Sequence, residues 1–306
     1  MNKEAIVQNR ISCPVCNSNN YSILHSSKHD APGFLDFIKF EKYYGKAFYR
    51  SYDSCLLKEL VFNIAECNNC HFVFLTEVLN NEGMGLLYNE WLDSELLRVH
   101  YANLEHPVYH ETLIKIIKKY FRKRNKINVM DFGAGYGNFC SITTKLGFNT
   151  YAFDLSSDKN DHMNNMGVTI IGSFDKYQSF FDLIWVNQVF EHLANPGEVL
   201  KNLAGCLKEN GLIYIAVPDC KDVKSILTNE GLSNRLFKLI SPHQHINAFN
   251  NKTLKLLGTN AGLKPLSAFD FLKFYNPGLN FEELKVLTKK TIKNSAFSTG
   301  LFFKKA

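Results

Sequence analysis

The fold is decided by residues 129–154, which read VMDFGAGYGNFCSITTKLGFNTYAFD. A short apolar run ends at Asp131, a glycine-rich turn follows, and the next segment, Asn138 to Leu146, has the pattern of a helix. A second apolar run stops at Asp154. The pattern predicts a strand, a tight turn, a helix and a second strand. Because glycine has no Cβ, such a turn lets a ligand approach the backbone closely.

Two classes of ligand use a turn of this kind. A dinucleotide site has the spacing G-x-G-x-x-G and places the pyrophosphate at the helix N-terminus. Here the glycines are Gly133, Gly135 and Gly137, and asparagine stands where that pattern needs its last glycine. The carboxylate of Asp131 before the turn would repel a pyrophosphate but attract the ammonium and sulfonium of S-adenosylmethionine. Asp154 stands where a ribose-binding acid is expected, so a dinucleotide remains an alternative ligand.

The rest of the chain extends this unit into an α/β fold. From about Val108 onward, predicted helices and strands alternate, which indicates a doubly wound, mostly parallel seven-stranded sheet with helices on both faces. The predicted strands are residues 125–130, 150–153, 168–172, 182–186, 212–217, 269–274 and 298–303. The predicted helices are residues 138–146, 158–166, 196–208, 253–260 and 281–292.

The carboxyl ends of the predicted strands define a candidate ligand site. Open parallel sheets bind their ligands beyond these ends, because the loops there converge on one crevice. The segments at the ends are Asp131 to Gly137, Asp154-Leu155, Ser173-Phe174, Asn187-Gln188 and Glu191-His192.

These segments resemble those of class I S-adenosylmethionine-dependent methyltransferases. The matching stretches are Asp131 to Gly137, Phe181 to Ile184, Val189 to His192, Asn195-Pro196, Gly211 to Pro218 and His245 to Phe249. The resemblance is strongest to small-molecule methyltransferases with an N-terminal four-cysteine zinc module, many of which act on sugars, polyketides or other secondary metabolites. It implies a Rossmann-like methyltransferase fold and S-adenosylmethionine as the cofactor.

The resemblance also implies roles for single residues. The glycine turn meets the methionine part of the cofactor, Asp131 helps to hold its ammonium, and Asp154 accepts both ribose hydroxyls. Ser173 departs from the family, in which an acid is frequent at this position, so adenine recognition differs there. The implied cofactor-binding residues are Asp131, Gly133, Ala134, Gly135, Tyr136, Gly137, Asp154, Leu155, Ser173, Phe174, Asn187 and Gln188.

Two C-x-x-C pairs precede this region, Cys13 with Cys16 and Cys67 with Cys70. Four thiolates from two tight turns form a closed tetrahedral zinc site, so we predict a structural zinc ion. Residues 67–71 also match the C-x-x-C-H haem signature, which requires export. Redox pairs and disulfides are two further alternatives, and the second is disfavoured in a reducing compartment.

The composition and charge limit which classes of partner and which location we expect. The formal net charge of +6 permits an anionic substrate but does not require nucleic acid. Residues 1–10 lack the apolar core of a signal peptide, and no apolar run is long enough to cross a bilayer. We therefore expect a cytoplasmic protein without a membrane partner. We predict three parts: a zinc-binding module with an aromatic-rich insertion (1–80), a helical bridge (81–107) and a methyltransferase domain (108–306).

Methylation of a hydroxyl requires a base, and histidine is suited to this role near neutral pH. The candidates are His192, after the fourth predicted strand, and His243 and His245, in the long segment after the fifth. A structural role at a helix start is the alternative for His192. For the other two, a catalytic and a structural role are equally open.

The acceptor we expect is a small molecule, with its hydroxyl on a sugar, sugar nucleotide or secondary metabolite. Residues 187–190 read NQVF and lack the prolines of enzymes that methylate base amines, so a nucleic-acid partner is not expected. The alternatives are an RNA methyltransferase with a zinc module and a non-catalytic S-adenosylmethionine-binding partner protein. The acids at positions 131 and 154, which a non-catalytic relative would lose, favour an enzyme.

Overall fold

The chain folds into two compact units in the computed structural model, which describes residues 3–38, 60–92, 107–155, 160–267, 270 and 298–306. The first unit comprises Met1–Leu104, Glu191–Pro196 and Pro218–Leu256. The second comprises Glu105–Phe190, Gly197–Val217 and Leu257–Ala306. The chain therefore returns to the first unit twice after leaving it. The predicted domains 1–80, 81–107 and 108–306 remain a prediction about which parts fold independently.

The strands of the described residues are numbered in chain order. They are β1 (Val7–Asn9), β2 (Tyr21–Lys28), β3 (Val61–Cys67), β4 (Val73–Leu75), β5 (Glu77–Leu79), β6 (Asn128–Phe132), β7 (Asn149–Phe153), β8 (Thr169–Ile170), β9 (Phe181–Asn187), β10 (Leu207–Pro218), β11 (Asn247–Ala248), β12 (Leu263–Leu266) and β13 (Ser298–Lys305).

The helices are numbered in the same way, apart from two short irregular ones. The α-helices are α1 (Lys3–Ile6), α2 (Pro32–Phe37), α3 (Asn81–Leu86), α4 (Pro107–Tyr120), α5 (Asn138–Lys145), α6 (Asn160–Asn165), α7 (Pro196–Cys206), α8 (Val223–Glu230), α9 (Asn234–Phe237) and α10 (Asn251–Asn260). A π-helical turn, Leu87–Trp91, continues α3, and a 3₁₀ turn, Phe190–His192, follows β9. Among the described residues, no helix is long and apolar enough to span a membrane.

The second unit is built on a seven-stranded sheet in the order β12-β13-β10-β9-β6-β7-β8. The pairs β6–β7, β6–β9, β7–β8 and β9–β10 are parallel, whereas β12 and β13 are antiparallel. The predicted fold class, a mostly parallel seven-stranded sheet, is confirmed. The strand order reverses between β6 and β9, and ligands of open α/β sheets bind at this kind of reversal.

The sheet differs from the prediction at one edge. Its outer strand is β12, whose sequence Leu263-Lys264-Pro265-Leu266 gave no strand signal because proline cannot donate to a ladder. At the edge of the sheet this missing donor is tolerated, and β12 pairs with Phe302 to Lys305 of β13. The predicted strand 269–274 and helix 281–292 lie outside the described residues, apart from position 270.

The first unit contains a four-stranded sheet in the order β11-β4-β3-β2 and a two-stranded sheet of β1 and β5. Strand β11 pairs antiparallel with β4, which brings residues 218–256 into this unit. Two aromatic residues of the N-terminal insertion, Phe34 and Phe37, pack with Phe62 and Phe237 in its core. The described part of the predicted bridge is helical from Asn81 to Trp91.

A buried carboxylate holds the start of β6 against β9. Asp182 is fully buried and accepts a hydrogen bond from the backbone N–H of Asn128 at 2.7 Å. It also pairs with Lys208 at 2.8 Å and with Arg124. Hydrogen bonds to a charged group are the stronger class, so this carboxylate fixes the register at the centre of the sheet.

Replacing this carboxylate should weaken the second unit. We expect Asp182→Ala to lower the free energy of unfolding by about 1.5–3 kcal/mol, the range for charged hydrogen bonds, because Arg124 and Lys208 reach solvent and stay hydrated. Urea unfolding of the full chain measures the change, with the exposed Glu209→Ala as the matched control. A loss no larger than in the control would show that Asp182 does not hold the register.

Candidate active site

The glycine turn is pinned to the end of β7 by backbone hydrogen bonds. The N–H groups of Gly133 and Ala134 both donate to the carbonyl oxygen of Phe153, at 2.8 and 3.2 Å. The N–H of Gly137 donates to the carbonyl of Ala134 at 2.8 Å and closes the turn before α5 begins. The predicted strand, turn, helix and strand are therefore all present.

Two of the glycines in the turn serve different purposes. Gly133 has φ +77°, and a Cβ at this position would lie 2.4 Å from Cγ2 of Val189, so the loop after β9 leaves no room for a side chain. Gly135 has φ +52°, but a Cβ there would meet no atom within 4 Å. Packing therefore requires the first glycine, whereas the second opens the backbone to whatever approaches the turn.

Asp154 binds the turn directly. Its Oδ2 accepts a hydrogen bond from the N–H of Gly135 at 2.7 Å. The carboxylate follows β7, is half-buried, and lies at the position that the sequence predicts for a ribose-binding acid. The structure thus brings the end of the second strand onto the turn that follows the first.

Asp131, the other predicted acid, lies at the end of β6 and is 4% exposed. The thiol of Cys140 in α5 donates to its Oδ2 at 3.5 Å. Burial, and next the charge of Asp131, raise the pKa of Cys140 well above its ordinary value. This cysteine is therefore an inert core thiol that fixes the carboxylate.

An aromatic cluster lies beside these acids. Phe132 stacks on Phe153 with ring centroids 5.1 Å apart, and both rings meet Phe174 edge-on at 5.5 and 5.3 Å. The sequence analysis named only the third of these rings. The other two are the last residues of β6 and β7. The sequence could have indicated this cluster, because both strands end in a phenylalanine.

The predicted residue Ser173 lies next to an acid that the sequence analysis missed. The Ser173 hydroxyl donates to Oδ2 of Asp175 at 2.8 Å, and the N–H of Asp175 donates back to the hydroxyl oxygen at 3.3 Å. An acid therefore lies two residues after the position at which the resemblance leads us to expect one. Leu155, the other neighbour predicted here, is 67% exposed.

The loop after β9 is held in an unusual backbone conformation. Gln188 has φ +57°, a left-handed value that is uncommon for a residue other than glycine. Its N–H donates to the carbonyl of Ala216 at 2.8 Å, and Asn187 pairs in register with the same residue. Such strain persists only where neighbouring structure enforces it, and it concentrates at functional sites.

The three candidate histidines belong to the first unit, and two of them form a pair. The rings of His192 and His245 meet edge-on with centroids 5.1 Å apart. Burial lowers the pKa of His192 to about 3, with a smaller contribution from His245, and lowers that of His245 to about 4. His243 lies apart from this pair, with rings of His29 and Trp91 at 5.5 and 6.4 Å. Burial also lowers the pKa of His243 to about 3, so all three histidines are neutral at pH 7.

A buried arginine holds the backbone on both sides of the histidine pair. The guanidinium of Arg10 donates to Oδ1 of Asn247 at 2.8 Å and to the carbonyl of Leu193 at 3.0 Å. The side-chain amide of Asn247 donates to the same carbonyl at 2.7 Å, and the N–H of Ile246 donates to the carbonyl of Glu191 at 2.9 Å. Segments distant in sequence are thereby fixed together, a contact that no local pattern signals.

The four predicted metal ligands come together in the first unit. Sγ of Cys13 lies 3.6 Å from Sγ of Cys70, and Sγ of Cys16 lies 3.5 Å from that of Cys67. A tetrahedral zinc ion with Zn–S bonds of about 2.3 Å separates its sulfur ligands by about 3.8 Å. All four sulfurs lie within 4.8 Å of one another, as one shared tetrahedral site requires.

Comparison with known proteins gives the family to which residues 104–268 are similar. A family model described as a methyltransferase domain matches residues 104–268. The ubiquinone biosynthesis O-methyltransferases of Rickettsia felis and Caulobacter vibrioides are 26% identical over 139 residues and 29% identical over 102 residues. These matches cover 42% and 29% of this chain, and 56% and 40% of the relatives. The chain thus spans about half the length of the curated relatives it matches.

A solved structure shares the fold. The plantazolicin methyltransferase BpumL, in complex with a pentazolic desmethylPZN analog and SAH, has a TM-score of 0.50 and 16% sequence identity. The match covers 73% of this chain and 95% of that chain. At this identity the likeness concerns the fold alone.

The different purposes of the two glycines can be measured. We expect Gly133→Ala to cost about 2–5 kcal/mol, from a left-handed backbone at about 1–2 and overpacking at about 1–3. Gly135→Ala should cost only about 1–2 kcal/mol. Urea unfolding provides both values.

The double variant Gly133→Ala/Val189→Ala is the control for overpacking. Removing Cγ2 of Val189 should recover the overpacking part of the loss, so the two substitutions should not be additive. Additive costs, or equal losses for the two glycine variants, would contradict the described packing of the turn.

Proposed function

The chain belongs to the methyltransferase-domain family, and we propose that it transfers a methyl group from S-adenosylmethionine to a hydroxyl of a small-molecule acceptor. The acceptor classes we propose are a sugar, a sugar nucleotide or another secondary metabolite. The hydrogen bond between the N–H of Gly135 and Asp154 carries the proposal, because it places a carboxylate on an open turn where the strand order reverses. The word O-methyltransferase in the names of the curated relatives supports oxygen as the acceptor atom.

The charge and shape of the turn support this cofactor over a dinucleotide. Two carboxylates, Asp131 and Asp154, flank the turn, and anionic groups favour an ammonium and a ribose diol over a pyrophosphate. The open space beside Gly135 admits the methionine part, and the aromatic cluster with Phe174 offers a face for adenine. The full proposed set is Asp131, Gly133, Ala134, Gly135, Tyr136, Gly137, Asp154, Leu155, Ser173, Phe174, Asn187 and Gln188.

For the transfer step, the bound cofactor supplies an electrophilic methyl group on a sulfonium. Alignment of the acceptor provides much of the rate, and the acceptor hydroxyl must lose its proton as the new bond to carbon forms. His192 and His245 are neutral and adjacent, so they are stronger candidates for this proton than His243. The burial that keeps them neutral also makes them weak bases toward an alcohol such as a sugar hydroxyl.

We assign a structural zinc ion to Cys13, Cys16, Cys67 and Cys70. A closed site of four thiolates has no open position and contributes directly to folding. Arg10 lies three residues before the first of these cysteines, so an ordered knuckle also keeps its guanidinium in place beside Leu193 and Asn247.

Calorimetry with S-adenosylmethionine tests the cofactor assignment. Loss of a charged hydrogen-bond acceptor costs about 1.5–3 kcal/mol, so Asp154→Ala should bind the cofactor about 10–100-fold more weakly than the wild type. Asp154→Asn keeps an acceptor oxygen for the N–H of Gly135 and separates the loss of charge from a collapse of the turn. The exposed Glu198→Ala is the control.

Binding of S-adenosylmethionine that is unchanged in Asp154→Ala would refute the assignment, as would wild-type protein that binds NAD but not this cofactor. For the acceptor, release of S-adenosylhomocysteine should be screened against sugar nucleotides, phenols and RNA. Turnover with the first two classes supports the proposal, and turnover with RNA alone would overturn it.

Cobalt substitution tests the zinc assignment. Co²⁺ bound by four thiolates in tetrahedral geometry gives sulfur charge-transfer absorption and intense visible bands, and Cys13→Ser should weaken both. Because metal binding to such a site is coupled to folding, chelation should also unfold the first unit. A metal-free chain with unchanged circular dichroism and unfolding midpoint would contradict this role.

A further inference from the structure

A second group of ligand-type side chains lies in the first unit, apart from the cysteines. Glu191, His192 and His245 place their potential ligand atoms within 4.8 Å of one another. Oε1 of Glu191 lies 3.9 Å from Nε2 of His192. The two histidines are the pair described above, and the carboxylate is contributed by the same short turn as the first histidine.

The carboxylate of Glu191 is buried without a hydrogen-bond partner among the described residues. The residue is 1% exposed, and neither carboxylate oxygen has a hydrogen-bond partner among the described residues. Nδ1 of His192 is likewise buried without a partner. A buried carboxylate without a donor costs several kcal/mol, which proteins avoid by pairing it or by coordinating a metal.

Protonation of the Glu191 carboxylate would remove its charge but would not give it a hydrogen-bond partner. Burial raises the pKa of Glu191 to about 8, so protonation removes the charge near neutral pH. The new O–H would itself need an acceptor, and Nε2 of His192, 3.9 Å from Oε1, lies beyond hydrogen-bond distance. A cation bound by the carboxylate and the histidines would neutralise the carboxylate and coordinate its oxygen directly.

The histidines are arranged as metal ligands usually are. Nδ1 of His245 lies 3.0 Å from the carbonyl oxygen of Lys238 and donates its hydrogen to that carbonyl. The lone pair is then on Nε2, and ligating histidines characteristically make this hydrogen bond to a backbone carbonyl or carboxylate. Both imidazoles are neutral, which is the form that binds metal.

We propose that Glu191, His192 and His245 bind a divalent transition-metal ion of the zinc or iron(II) class, at a site separate from the cysteine cluster. Two imidazoles and one carboxylate select such ions over Mg²⁺ and Ca²⁺, which prefer oxygen ligands alone. Tetrahedral ligands at about 2.1 Å lie about 3.4 Å apart, slightly closer than the 3.9 Å found here, and side-chain rotation can close this difference.

The backbone around the site is already fixed. The N–H of Ile246 donates to the carbonyl of Glu191, and Arg10 and Asn247 both bind the carbonyl of Leu193. The two segments that provide the ligands are therefore held together before any ion binds, as a designed metal site requires.

Three protein ligands leave at least one coordination position open, as in catalytic metal sites. A water molecule in that position would have its pKa lowered by the ion.

Calorimetry with Zn²⁺ alone tests the site, using full-length protein already loaded with one zinc ion per chain as verified by elemental analysis. We expect one additional ion per chain. Glu191→Gln and His245→Asn should each weaken this binding by about 10–100-fold or more, since even outer-shell partners of a metal contribute that much. Glu198→Gln and His71→Asn, both exposed, are the matched controls and should bind as the wild type does.

Cobalt provides a readout that does not depend on the variants folding. Co²⁺ added to the zinc-loaded wild type should give visible bands without sulfur charge-transfer absorption, because the ligands are nitrogen and oxygen. Failure of the wild type to bind a second ion, thiolate absorption, or unchanged affinity in the variants would each overturn the proposal. All these measurements omit S-adenosylmethionine, so their failure is distinguishable from failure of the cofactor assignment.

Discussion

The hydrogen bond from the N–H of Gly135 to Asp154 is the constraint on which the rest of the candidate site depends. It holds the end of β7 against the turn after β6, and its donor is a residue with the left-handed φ that favours glycine. The steric limit at Gly133 closes the turn from the other side, where Val189 follows β9. The turn stays open at Gly135, with the carboxylate of Asp154 beside it.

In the first unit, a buried arginine also holds segments together that are distant in sequence. Arg10 has lost most of its contact with water and has its pKa lowered to about 9 by burial, yet it is retained because it satisfies several acceptors at once. The cysteines order the chain just after it, and its guanidinium orders the segments that carry Glu191, His192 and His245. A polar network, next to the cysteines to which we assign a zinc ion, thus stabilises a group of ligand-type side chains.

Much of the fold followed from the sequence because its signals are local. The period of apolar residues located β6, β7, β9 and α5, and the glycine turn identified the ends that meet. Strand β12 was not predicted because Pro265 cannot donate a backbone hydrogen bond, which is untypical of a strand. The return of residues 218–256 to the first unit was invisible because it depends on pairing between Asn247 and Phe74, 173 positions apart. The unpaired state of Glu191 likewise exists only once distant segments pack around it.

The most direct measurement is a crystal structure of the protein with S-adenosylhomocysteine. The account predicts the ribose hydroxyls on Asp154 and the amino acid moiety along the backbone of Gly133 to Gly137. A ligand bound elsewhere while the turn stays unliganded, or a pyrophosphate-containing cofactor on the turn, would contradict it.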